Sequence, residues 1–132
     1  MHDKMRELGT DPYSVLSDNS VRIIYDNNDV LYAIRDYLND LEEICTAVNS
    51  GAVDEDYAYA LESATIVLAF GVFQPLIERQ RERFNIDTVW IELQKRALRW
   101  KKRQIKEIST RKQQLIELAA AVDREKGIHE KY

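Results

Sequence analysis

The chain has 132 residues, of which 45% are apolar and 32% charged, with a formal net charge of −4. That length fits one domain able to bury its own core, since domains commonly hold about 100–150 residues. Four glycines and two prolines leave few places to turn, which argues against many short strands and for an all-α fold, a small bundle of three to five helices with a long C-terminal helix, coiled-coil-like in pattern.

Three segments are expected: a polar N-terminal segment over 1–28 with a short helix, a helical core over 29–103, and a C-terminal helical extension over 104–132. In the first, Asp11 is placed to cap a helix that starts at Pro12 and runs to about Leu16. Residues 20–25 read as a helical turn or a stub of strand, with helix favoured. Asn28 and Asp29 then open a helix to about Asn49. Its apolar residues Val30, Leu31, Ile34, Leu38, Leu41, Ile44, Cys45 and Val48 recur at threes and fours, the period of one helical face. Gly51 is the expected stop.

Asp54 caps the next helix, with Glu55 and Asp56 favourably placed in its first turn. The run from Ala64 to Phe73 is apolar on nearly every side, so this helix should be the central, most buried one. It is too short to cross a bilayer, which needs about 20 apolar residues, and no membrane insertion is expected. Pro75 should kink or divide the helix. Residues 85–87 look like a break, with Asp87 capping a last helix of about 38 residues that Gly127 should end. Such a helix spans roughly 57 Å at about 1.5 Å per residue. Its C-terminal half should therefore project, fold back at Ser109-Thr110, or meet a partner. Leu98 and Ile105 lie seven apart, as do Ile108, Leu115 and Val122. Together they form a heptad seam broken at Lys101 and Lys112.

The segments Tyr37-Leu38-Asn39-Asp40-Leu41-Glu42-Glu43-Ile44, Val48-Asn49-Ser50-Gly51, Asp54-Glu55 and Phe73-Gln74-Pro75-Leu76-Ile77, with Arg79 or Arg81 and then Trp100 on a basic helix, resemble the domain of unknown function 4760 family of bacterial and phage proteins. The resemblance covers about residues 28–103. It implies a small helical bundle and lends no catalytic residue or reaction. The family's setting makes a role in phage–host conflict conceivable, and the N-terminal apolar helices that tether many members have no counterpart in this sequence. Asn39 and Glu42 match the family's Asn-x-x-Glu pattern and are expected to orient or cap inside the bundle.

No catalytic, cofactor or metal constellation is legible. Cys45 stands alone, so no intramolecular disulfide can form, and its apolar neighbours make it a core residue. A cytoplasmic setting is expected, since the first 20 residues carry no targeting segment. His2 and His129 sit near opposite ends, which are expected to be mobile, without the close Cys or His pairs of a structural zinc site. The spacing Arg124-x4-His129 resembles the motif of HEPN ribonucleases, but Gly127 interrupts it.

Charge is the strongest functional hint. Residues 1–60 hold 4 Lys/Arg against 13 Asp/Glu, and residues 61–132 hold 15 against 10. Lys95, Arg96, Arg99, Lys102, Arg103 and Lys106 are expected to form a continuous basic stripe on the last helix. The leading expectation is a non-enzymatic protein-interaction module, self-associating as a homodimer through that helix. The alternative is a nucleic-acid-binding accessory protein whose stripe follows a phosphate backbone. A HEPN-like ribonuclease is the third. Trp90 and Trp100 are expected in the core or at an interface.

Overall fold

Met5, in the N-terminal segment read as polar, is fully buried. It anchors a short helix α1 over His2–Glu7, and the Thr10 hydroxyl donates to its carbonyl at 2.8 Å. The structure, a computed structural model, describes the backbone of residues 1–131 and the side chains of residues 1–127. Residues 12–14 form a turn and bend and residues 15–16 are irregular, in place of the expected helix. Asp11 instead accepts from the Tyr13 amide at 2.9 Å and the Ser14 hydroxyl at 2.6 Å. This is the local side-chain turn that competes with helix at such residues. Those bonds, Ser14's first, hold the Asp11 carboxyl below its usual range. Leu16 donates its amide to Val72 O at 3.0 Å, which fastens the segment to the core. His2 lies against the Tyr13 and Tyr37 rings.

Helix α2 spans Asp18–Tyr25, capped by the Ser17 hydroxyl, and buries Val21 and Ile24. Helix α3 spans Asn28–Asn49 and buries Val30, Leu31, Ile34, Leu38, Leu41, Cys45 and Val48, nearly the set its period predicts. Gly51 follows at φ +81°, a left-handed position that disfavours any side chain. Helix α4 spans Glu55–Phe84, and the Asp54 carboxylate accepts from the Tyr57 amide at 2.8 Å. Pro75 sits inside it and does not divide it.

Ile66, Ala69, Phe70, Val72, Phe73, Leu76 and Ile77 of α4 are buried. The helix is nonetheless less enclosed than its sequence suggests, because Tyr57, Leu61 and Leu68 are exposed. Among the described residues α4 is the one helix long and apolar enough to cross a membrane by length and composition, with a mean hydropathy of 1.6 over its best window. Asn85 ends it in the left-handed conformation at φ +51°.

Helix α5 does not begin at Asp87. Residues 87–90 form turns, Trp90 takes the left-handed φ of +54°, and α5 spans Ile91–Lys131. It passes through Ser109-Thr110 without folding back and through Gly127 without ending. The Thr110 hydroxyl bonds back to Lys106 O, as Thr does inside a helix. Leu93, Ala97 and Trp100 of its first turns are buried, and Trp100 meets Tyr59 edge-on at 5.7 Å between ring centroids. The chain divides into two units, one over residues 1–100 and one beginning at Lys101. The first includes the N-terminal 28 residues, because Met5, Leu16, Val21 and Ile24 belong to the same core as the later helices.

Candidate interaction surface

A helix N-terminus leaves backbone N–H groups without intrahelical partners, and at α5 the partner comes from another helix. The Glu42 carboxylate on α3 accepts from the Leu93 amide at 2.7 Å and bonds to the Glu92 amide as well. Three residues earlier, Asn39 accepts from the Trp90 indole N–H at 2.8 Å. The Asn-x-x-Glu pair therefore places and caps the start of α5, as expected. Burial pushes the Glu42 carboxyl up, and the Leu93 and Glu92 amides pull against that shift.

A second set of bonds lies one turn on. Arg96 Nε donates to Asn49 at 2.7 Å, its Nη1 pairs with Glu55 at 2.7 Å, and its guanidinium lies over the Trp100 ring at 5.3 Å. Asn49 in turn donates to the Glu92 carboxylate at 2.6 Å and, at 3.2 Å, to its carbonyl. The Asn49 bond, with Lys95 assisting, holds the Glu92 carboxyl below its usual range. Arg81 on α4 closes the other side, bonding Val89 O at 2.9 Å and Gln94 at 2.8 Å. Glu92 and Gln94 were not singled out from the sequence, and Asn49, Glu55 and Arg81 entered only through the family resemblance or a helix end, because their partners lie on other elements. These groups join α3, α4 and α5. The nearby Cys45 thiol is pushed up to about 12, chiefly by burial and then by the Glu42 charge. It stays protonated and unreactive at neutral pH.

The expected basic stripe is corrected at Arg96, which is 3% exposed and committed to Asn49 and Glu55. In the first unit, Lys95 pairs with Glu92 at 3.3 Å and Arg99 is exposed. Both line a shallow cleft of about 380 Å³ with Thr46, Asn49, Ser50 and Glu92, and the Glu92 charge opposes an anion there. In the second unit, Lys102 and Lys106 are exposed, while Arg103 pairs with Glu107 at 3.1 Å. The pattern is interrupted rather than continuous.

The seam residues stand in water. Leu98, on the first unit, is 46% exposed; Ile105, Ile108, Leu115 and Val122, on the second, range from 44% to 66%. Ile116 and Leu118 are also exposed and widen the apolar face. Strict seven-residue counting missed them, because they flank the seam rather than lie on it. No residue of the second unit is buried among those whose side chains are described. Arg124 is exposed, and His129, its supposed ribonuclease partner, lies outside the residues whose side chains are described. Among the described residues no group of three or more His, Cys, Asp or Glu could hold a metal ion.

A family model for a domain of unknown function, DUF4760, matches residues 11–100. The chain belongs to the DUF4760 family. The family domain ends at Trp100, where the first unit ends, and its Asn39, Glu42, Asn49 and Glu55 are the residues that seat α5. No curated protein and no solved structure matches the chain.

Proposed function

We propose that this family member is a non-enzymatic helical protein-interaction module that self-associates through the apolar face of residues 105–122. One observation carries this reading. Ile105, Ile108, Leu115, Ile116, Leu118 and Val122 lie on one helix, and all are more than two-fifths exposed. Soluble chains seldom leave so many large apolar side chains together in water without a partner. The heptad spacing suits a helical partner in particular. Helix α4 is taken as a core helix rather than a membrane span, since Ile66, Phe70, Phe73, Leu76 and Ile77 are spent on the bundle. The nucleic-acid alternative draws less support, with Arg96 buried and Lys95 and Arg103 paired to carboxylates.

Light scattering on the full chain tests the proposal. The expected mass is about twice the 15.5 kDa of one copy, falling to one copy for Ile108→Glu/Leu115→Glu. Circular dichroism confirms that the variant's bundle is intact. A monomeric wild-type chain, or a variant that keeps the wild-type mass, overturns the proposal.

A further inference from the structure

Two copies of the apolar face can pair in two directions, and the sequence of the second unit favours one. In heptad register the core positions are Ile105, Ile108, Lys112, Leu115, Ala119 and Val122. A parallel, in-register pair sets Lys112 against Lys112 of the second copy, two like charges at a position that wants apolar contact. It also lays basic segment on basic segment. Residues 101–112 hold six Lys/Arg against one acid, Glu107, whereas residues 113–127 hold Arg124 and Lys126 against Glu117, Asp123 and Glu125.

We infer that the second unit pairs with a second copy of itself in antiparallel orientation, centred between Gln113 and Gln114. This rests on the self-association proposed above and adds its geometry. The reversed copy sets Ile105 opposite Val122, Ile108 opposite Ala119, and Lys112 opposite Leu115, whose side chain can receive the aliphatic stem while the ammonium reaches water. The basic 101–112 segment of each copy then lies along the mildly acidic 113–127 segment of the other. At the flanking positions Lys102 faces Asp123, twice by symmetry. Each of these residues is exposed, so the pairing displaces no core contact.

Disulfide trapping reads the direction. Ile105→Cys and Val122→Cys are made separately in the full chain and oxidised alone and as an equal mixture. The native Cys45 does not interfere, since it is buried and its thiol is held near 12. In the antiparallel pair the two copies of position 105 are about 25 Å apart along the axis, at about 1.5 Å per residue, well beyond a disulfide's reach of about 7 Å between Cα atoms. The expected result is a covalent dimer in the mixture alone, joined 105 to 122 by mass spectrometry of the linked peptide. Self-linked dimers of each variant alone overturn the orientation, as does a mixture that stays unlinked while light scattering reports a dimer.

A second test needs no cysteine. Lys102→Glu should raise the dimer's dissociation constant about tenfold by setting like charges together at two symmetric places, and Lys102→Glu/Asp123→Lys should restore it. A constant unmoved by the single change, or not restored by the double, overturns the pairing. Failure of the underlying proposal looks different: the wild-type chain is then a monomer, and neither direction exists.

Discussion

Glu55 is 55% exposed and Arg96 is 3% exposed, yet the structure predicts that removing the exposed partner costs more. Glu55→Ala leaves the guanidinium buried, with its Nε still donating to Asn49 Oδ1 at 2.7 Å. Breaking a buried pair from one side costs about 3–5 kcal/mol, because a desolvated charge loses its counter-ion. Glu55 already stands half in water, so the lower end applies, about 3 kcal/mol. Arg96→Met removes the costly ion itself and keeps an apolar stem against Trp100. Replacing a whole buried ion pair by apolar groups is often close to neutral, and the Glu55 carboxylate left behind here is already more than half in water. What remains is the loss of a donor to Asn49, about 1–2 kcal/mol. For a unit of about 100 residues the larger value lowers Tm by on the order of 15 °C. Urea titration followed by circular dichroism measures both, and Arg96→Met/Glu55→Ala should be more stable than Glu55→Ala alone. A Glu55→Ala protein within about 0.5 kcal/mol of wild type, or the reverse order of the two single changes, would refute the reasoning.

Asn85 holds the left-handed C-terminal position of α4 at φ +51°, so Asn85→Gly should raise the urea midpoint by up to about 1 kcal/mol equivalent; a lowered midpoint counts against that role. The Glu42 carboxyl is raised by burial, so the stability it contributes is fully present below the usual glutamate pKa and is lost as pH rises through its higher folded value. Urea midpoints measured from pH 4 to 7 should fall more steeply for wild type than for Glu42→Gln, and parallel curves would contradict the assignment. With its thiol at about 12, Cys45 should react with a disulfide reagent at pH 8 only after urea is added, and immediate labelling would place it at the surface. The same shift makes its contribution to stability constant below about pH 9 and lost between there and about pH 12.

Periodicity delivered α3 and most of α4 because their signals are local: one apolar face, Asp54 at the start, a glycine after the end. The start of α5 was misplaced at Asp87 for the opposite reason. Its capping group is Glu42, 51 residues away, and no local rule sees a cap supplied by another helix. Asp11 shows how one residue type serves two structures. Its side chain caps a backbone N–H as predicted, but nothing apolar and periodic follows to extend a helix, so the bond closes a turn. α1 forms from the unpromising stretch HDKMRE, fixed by the burial of Met5. Arg96 was misread although a signal was present. Leu93, Arg96, Ala97 and Trp100 follow the spacing of a single helical face, and the other three are core residues. Charge periodicity placed Arg96 in the stripe, while apolar periodicity places it inside.

Helix α5 thus carries two kinds of sequence. Up to Trp100 it is specified by what it touches: Glu42, Asn49 and Glu55 through polar bonds, and the core through Leu93, Ala97 and Trp100. From Lys101 to Gly127 none of its residues is buried, and local pairs such as Arg103–Glu107 and Gln113–Glu117 support it. Such pairs contribute only about 0.2–0.5 kcal/mol each, and most helical stability in proteins comes from packing an apolar face. A helix selected only for solubility would have polar residues where Ile105, Ile108, Leu115, Ile116, Leu118 and Val122 stand. Their presence at helical spacing, on the stretch that lies beyond the family domain, is what the self-association proposed above accounts for, since that contact would bury the apolar face that now stands in water.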